Sequence, residues 1–491
     1  MNARPPDVVI IVMDCVRADE FQSALRDEDR MPFLRALEPH VNNFEDAYTT
    51  APWTLPAHAS LFTGLYPWEH GAHNRGEVRL PPNVPRLSSS LGAAGYASGS
   101  FSANGFISPP FGLTDGFDVA EWGEWWELYW RFIERPAGTS ATHVAGSGPL
   151  WTRPGWREYV HVLNRTPRVL DGINRFARRL RPNGSRPSGI NVAPWIESSV
   201  HHWLERVPRA RPVFCFVNLL EAHEPYLTET SQRTGLMEWW RATRGRMDRS
   251  SAIMGDWTPS PRELDHLRRM YRRGIYAIDA RVGSIVREFQ DAGRWDNTLF
   301  VLTSDHGQAF GENGMLFHGL RVDDVLLRIP LWIRLPHDAP ANATRRSRVS
   351  LVDIAPTVYA VTGASGPPGM SGISLFGSEA SSGSRRIFAA ADGIHSEESR
   401  LAHWARGTTN SVDTEWIALY ERSWKVTVNP SRETCTIADV NGSALAPDPE
   451  KNPEVASLRT EALRVGRVLR RDPRKHASKE VEERLKSWGY D

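Results

Sequence analysis

Cysteine is scarce in this chain. Only three occur among 491 residues, Cys15, Cys215 and Cys435. So sparse and odd a count excludes a disulfide framework. Two of the three lie in apolar runs, VVIIVMDC and VFCFVNLL, where a small buried thiol is the ordinary reading. Long hydrophobic runs are missing as well. VVIIVM is far too short to cross a bilayer, so no membrane span is expected. The opening residues do not combine basic side chains with a long apolar stretch. No signal peptide is therefore read, and a cytoplasmic location is expected. Nor is there an excess of charge: 59 basic side chains face 58 acidic ones. Nucleic-acid binding usually brings a strong basic surplus, so no nucleic-acid partner is expected. The same balance excludes the very acidic surface of a salt-adapted protein. No pattern in the sequence signals an oligomeric state.

What is present reads as an ordinary soluble globular protein, 40% hydrophobic and 24% charged. Residues 7–13 (DVVIIVM) form a β-branched run without alternation, the mark of a buried strand in a parallel sheet. LSSSLGAAGYASGSFSANG reads as a helix, a glycine turn and a second strand. VFCFVNLL, TLFVLTSD and IPLWIRLP supply three more. Between them lies an amphipathic helix, ELDHLRRMYRRGIYAIDARVGSIVREFQDAG, ending near Gly293. The expected class is α/β: a mostly parallel central sheet with helices on both faces. Residues 119–195 break this pattern with Trp, Arg, Pro and Gly, including several of the chain's 19 tryptophans. They read as a Trp-rich insertion in a catalytic domain of residues 1–365. Residues 364–385 look like a linker. Beyond it RIFAAADG, EWIALYERSWKVTVN and ETCTIADV predict a small antiparallel subdomain, residues 366–491, closed by a terminal helix in KEVEERLKSWGY.

Polar, metal-competent residues recur directly after the buried strands. Asp14 follows the first. His223 follows the third, and Asp305 and His306 follow the fourth. In open α/β sheets ligands gather at that carboxyl edge. A strand-end Asp suits a divalent cation, and an adjacent Asp-His supplies an oxygen and a nitrogen ligand. Thr54 precedes AHASLFTG, the opening of a helix. A helix start offers free amides and a positive dipole end to an anion. A hydroxyl there can attack phosphorus if a metal lowers its pKa. Taken alone, Thr54 would be a simple helix cap. In TSDHGQAFGENGMLFHG, His318 lies in a second turn, where an imidazole can hold an anionic oxygen or protonate a leaving group. His223 is a similar candidate.

These segments resemble the sulfatases of the alkaline phosphatase superfamily. The likeness runs from Asp14 through GLYPWEHGAHNRG, AAGYASGSFSANGF, GLTDGFD, NLLEAHEPY, DNTLFVLTSDHGQAFGENG and LRIPLWIRLP to SLVDIAPTVYAVTG. The resemblance implies a metal held by Asp14, Thr54, Asp305 and His306, Thr54 being also the nucleophile. It implies that His223 and His318 meet the substrate's oxyanions. Three features depart from it. Where sulfatases carry Cys/Ser-x-Pro-x-Arg, this chain has Thr54-Leu55-Pro56-Ala57-His58. Threonine would oxidise to a ketone, so it cannot become formylglycine. The usual Asp-Asp pair is Asp14-Cys15. These departures look like the phosphoryl-transferring branches: lipoteichoic acid synthases, phosphoethanolamine transferases and nucleotide phosphodiesterases. The expected function is cleavage of phosphoric (di)esters through Thr54. The alternatives are a sulfuric-ester hydrolase and a non-catalytic relative that binds anions. Two carboxylates, an imidazole and a hydroxyl suit Mn²⁺, Zn²⁺ or Mg²⁺. His223 and His318 are available to a second ion, so one or two ions are expected, and the partner is an anionic ester substrate.

Overall fold

The computed structural model describes residues 4–73, 78–122, 193–224, 226, 259–338, 344–377, 385–392, 415–440 and 452–471. Its centre is the strand Asp7–Met13, in which every side chain is buried. Val9, Ile11 and Met13 enter the core on one face, and Val8, Ile10 and Val12 enter the core on the other. A strand packed on both faces cannot alternate with polar residues, which is why the run is uniformly apolar. Eight strands form the sheet. In spatial order they are Thr344–Arg345, Asn42–Phe44, Leu331–Arg334, Thr298–Thr303, Asp7–Met13, Val213–Leu219, Ala97–Ser102 and Val119–Trp122. All neighbouring pairs are parallel except the two made by Leu331–Arg334, which runs antiparallel to both its neighbours. The expected α/β architecture is what the chain adopts.

Helices cover both faces. On one lie Ala193–Arg206 and the long Pro261–Asp291, which contributes Leu267, Ile275, Ile278 and Phe289 to the core. Ser260 caps the long helix and exchanges hydrogen bonds with Glu263, a reciprocal capping box. On the other face lie Thr54–Thr63, Leu87–Ala93 and Ile354–Thr362. Residues 364–377 carry no helix or strand, yet they are not a free tether: Ser371 and Gly372 donate to the Gly64 carbonyl at 2.9 and 3.0 Å.

The strands Ile387–Asp392, Glu415–Glu421, Trp424–Asn429 and Thr434–Asp439 make a separate antiparallel sheet. The helix Pro453–Arg471, which the sequence reading does not anticipate, packs Val455, Leu458, Ala462 and Val465 onto it. The terminal helix expected in KEVEERLKSWGY lies outside the described residues. So does most of the expected insertion; its first four residues form the edge strand Val119–Trp122 of the main sheet. No helix among the described residues is long and apolar enough to cross a membrane.

Register is what positions the site. Thr303, Val12, Asn218 and Ser102 form one row across four adjacent parallel strands. Whatever follows each strand therefore emerges at one edge. Glycine lets the long helix press close to that edge: a Cβ on Gly274 would lie 2.2 Å from the Glu221 carbonyl oxygen. Gly274→Ala is expected to cost about 1–3 kcal/mol through overpacking. A denaturant midpoint unchanged from the parent would contradict this close approach.

Candidate active site

Asp14 leaves the first strand fully buried. Its Oδ2 accepts from Asn104 Nδ2 at 2.7 Å and from Asn218 Nδ2 at 3.2 Å. The Asn104 amide also donates to Thr54 Oγ1 at 3.2 Å. One NH₂ group thus ties the candidate nucleophile to the first candidate ligand. Because that nitrogen only donates, Thr54 Oγ is the acceptor there and its own hydrogen is directed elsewhere. Thr54 opens the wholly buried helix Thr54–Thr63, behind an extended Trp53. One turn on, His58 Nδ1 donates to the Thr54 carbonyl at 2.9 Å. The same nitrogen stands 3.7 Å from Asp305 Oδ2.

Asp305 and His306 follow the strand Thr298–Thr303. Asp305 Oδ1 accepts from the backbone amides of Cys15 at 3.2 Å and His306 at 2.9 Å. Its Oδ2 is buried and has no hydrogen-bond partner among the described residues. His306 donates Nδ1–H to the Gly307 carbonyl at 3.0 Å, which fixes the tautomer and leaves Nε2 with the lone pair. That Nε2 lies 3.3 Å from Asp305 Oδ2. His223 stands after Val213–Leu219, and His318 stands in the turn after Leu316–Phe317. Ring centroids are 5.1 Å apart for His223 and His318, and 4.4 Å apart for His306 and His318. Residues scattered over 305 positions, Asp14 to His318, therefore meet at one sheet edge.

The electrostatics follow from burial. Burial, reinforced by the charge of Asp14, pushes the Asp305 carboxyl well above the usual range. Burial pushes Asp14 upward too, but His223, His306, His58 and the Asn104 hydrogen bond outweigh it and hold the carboxyl below its ordinary value. Burial lowers His58, against the opposing pull of Asp14. Two buried carboxylates cannot both ionise cheaply without a cation between them. An orphaned Asp305 Oδ2, a second carboxylate, an oriented imidazole and a hydroxyl make a donor set that fits a divalent ion. Donor atoms of Asp14, Cys15 and His306 lie within 4.8 Å of one another.

The profile of the family described as Sulfatase matches residues 6–364. The chain belongs to the sulfatase family. Arylsulfatase K of Bos taurus is 23% identical over 366 residues, covering 70% of this chain and 60% of that protein. The chain thus spans less than two thirds of that relative's length. The multifunctional alkaline phosphatase superfamily protein PehA of Trinickia caryophylli is 24% identical over 413 residues, 75% of this chain and 76% of that protein. Among solved structures, the phosphonate monoester hydrolase of Agrobacterium radiobacter superposes with a TM-score of 0.63 at 18% identity, covering 95% of both chains. At that identity the likeness is one of fold.

In this sulfatase-family chain several residues join the edge that the sequence reading leaves aside. Asn104 and Asn218 hold Asp14. Gln308 accepts from His318 Nδ1 at 2.7 Å and donates to Glu224 at 2.9 Å. Cys15, read from sequence as a packing residue, is indeed fully buried. Its Sγ, however, faces Asp14 Oδ1 at 3.4 Å and His318 Nδ1 at 3.5 Å rather than hydrocarbon. No periodicity marks an asparagine two residues past a strand, so only the row register reveals it.

The raised Asp305 pKa has a sign. A carboxyl raised in the fold stabilises the metal-free protein fully below about pH 4, the unfolded value. That contribution is lost as pH rises through the raised value. A cation removes the loss, and the buried histidines that it does not touch act alike with and without it. The difference in Tm between Mn²⁺-loaded and chelated protein is therefore expected to widen from pH 5 to pH 8. A difference that is constant or narrows with pH would contradict the pairing of Asp14 and Asp305 across a cation.

Proposed function

We propose that this chain cleaves phosphoric esters, phosphodiesters foremost, through attack by the Thr54 hydroxyl on phosphorus. The observation that carries the reading is the shared Asn104 amide, which holds Thr54 Oγ1 against the Asp14 carboxylate at the edge where Asp305 and His306 also emerge. Asp14, Thr54, Asp305 and His306 would hold one divalent cation, Mn²⁺, Zn²⁺ or Mg²⁺. Such an ion, when bound, supplies positive charge and lowers the pKa of a coordinated hydroxyl.

The chain's own groups do the rest. Asn104 orients Thr54 Oγ and leaves its proton free to depart to solvent. The oxygen adds to phosphorus in line, the bond to the leaving oxygen breaks, and the phosphoryl group, with a diester's second substituent still attached, rests on Thr54. Water or a second alcohol then takes it. His223 and His318 meet the non-bridging oxygens, and a protonated imidazole returns a proton to the departing oxygen. His58, in the place of the family's Arg, holds the first turn of the helix through the Thr54 carbonyl.

A second reading is a sulfuric-ester hydrolase. It is favoured by the names of relatives such as arylsulfatase K and the choline-sulfatase of Rhizobium meliloti. Against it stands the side chain itself. A threonine sulfate has no aldehyde hydrate to expel sulfate and would need direct hydrolysis.

Turnover of aryl phosphate monoesters, phosphodiesters, phosphonates and sulfates, with Thr54→Ala alongside, separates the two. Phosphodiester turnover is expected in the parent, with a loss of about a thousandfold or more in the variant. Robust sulfate turnover without phosphodiester turnover would favour the second reading. A parental rate in Thr54→Ala would remove Thr54 as nucleophile.

A further inference from the structure

We propose that Gln308 is a positioning residue for the leaving group's proton: its amide bridges Glu224 to His318 and turns the His318 ring so that Nε2 is the nitrogen presented to the departing oxygen. The proposal rests on reading His318 as the imidazole that serves that oxygen. A short ribbon brings the two residues together. Ala309 lies opposite Phe317, and Phe310 lies opposite Leu316, in antiparallel pairing. Continued by one residue, the same register sets Gln308 opposite His318, with both side chains on one face. Both residues are buried.

Chemistry fixes which way the amide faces. Gln308 Nε2 donates to Glu224 Oε2 at 2.9 Å and to the Tyr226 hydroxyl at 2.6 Å. An ionised carboxylate only accepts, so the amide nitrogen belongs on that side. Gln308 Oε1 then faces His318 Nδ1 at 2.7 Å, and that nitrogen carries the donated hydrogen. Nε2 is left as the ring's reactive position. When the ring is protonated, Nε2–H is the proton that leaves, and Nδ1–H stays on Gln308. Arg17 Nη1 donates to the Gln308 carbonyl at 3.2 Å and so steadies its backbone.

Glu224 shows what the amide prevents. Its Oε2 is only 3.8 Å from His318 Nδ1. Without the amide, His318 would swing onto that carboxylate as a direct ion pair and carry Nε2 out of line. The plain account is a buried glutamine that merely satisfies its own amide. Most side-chain hydrogen bonds go to backbone or water, and those between side chains are about 10–15% of the total. All three bonds of this amide go to side chains, and they tie the segment after one strand to the turn that holds His318. Backbone strain gathers at the same place. Phe317, just before His318, has a φ of 67°, and Tyr226 has a φ of 57°. Left-handed aromatic residues are costly and persist where their surroundings demand one geometry.

A series of aryl esters with leaving phenoxides of rising basicity tests this, in the ester class that the parent turns over fastest. The quantity read is kcat/KM, which reports the step that expels the leaving group. In the parent a weak dependence on the leaving group is expected, because the proton arrives as the bond breaks. In Gln308→Ala the poorest leaving group should lose about 10–100-fold and nitrophenolate little, so the dependence steepens. That slope does not vary with the fraction of folded enzyme, so a destabilised variant still reports. Gln308→Glu sets two carboxylates side by side and should steepen the slope as well. Adding Glu224→Gln exchanges amide and carboxylate, rebuilds the bridge and should bring the slope back. An unchanged slope in Gln308→Ala, or an equal loss with every leaving group, overturns the proposal. So does an exchanged pair that recovers nothing, and that pair decides alone if Gln308→Ala does not fold. An unchanged slope beside an inactive Thr54→Ala leaves the Thr54 reading standing. A parental rate in Thr54→Ala beside a steepened slope in Gln308→Ala would sink the Thr54 reading alone.

Discussion

Two carboxylates that must share one dry edge govern this structure. Asp14 and Asp305 are both almost wholly removed from solvent, and each emerges from a strand of the same parallel pair, Asp7–Met13 beside Thr298–Thr303. Burial alone would neutralise both. The fold instead surrounds Asp14 with amide donors and imidazoles, which keeps it ionised, and lets Asp305 bear the strain through a raised pKa. Such an arrangement is poorly justified by stability, because a buried pair of like charges costs more than well-packed apolar residues. It is well justified as a cation's cradle.

Much of the surrounding architecture serves that edge. The row of Thr303, Val12, Asn218 and Ser102 aligns four strand ends. Asn218 and Asn104, at or just past two of those ends, aim donors at Asp14. The Asn104 amide then reaches Thr54, which links the helix Thr54–Thr63 to the sheet through one nitrogen. His58, one turn into that helix, stands between the Thr54 carbonyl and Asp305. Gly307 supplies closeness: a Cβ there would lie 2.0 Å from the Val325 carbonyl oxygen, so the turn after His306 tolerates no side chain.

The strands and their ends were legible because a buried parallel strand must be apolar throughout, so VVIIVM and TLFVLT announce themselves, and Asp14, Asp305 and His306 stand out where each run stops. The long helix was legible through its amphipathic period, whereas its Ser260–Glu263 cap emerged only from the structure. Asn104, Asn218 and Gln308 were not, because an amide's role depends on which row of the sheet it joins, and register leaves no trace in one strand's sequence. Cys15 was legible as buried, but one of its polar neighbours, His318, lies 303 residues away in the chain. The helix Pro453–Arg471 went unread for a simpler reason: its apolar stripe of Val455, Leu458, Ala462, Val465 and Leu469 is diluted by arginines and glutamates, and its partner sheet is what reveals it.

The central claim is that Thr54 itself carries the phosphoryl group during turnover. Acid quenching of the metal-loaded protein during phosphodiester turnover, followed by peptide mass analysis, reads this directly. One phosphoryl group, still bearing the diester's second substituent, is expected on the peptide containing Thr54 and none in Thr54→Ala. Rapid turnover with the Thr54 peptide unmodified, or with the group on another side chain, would contradict it.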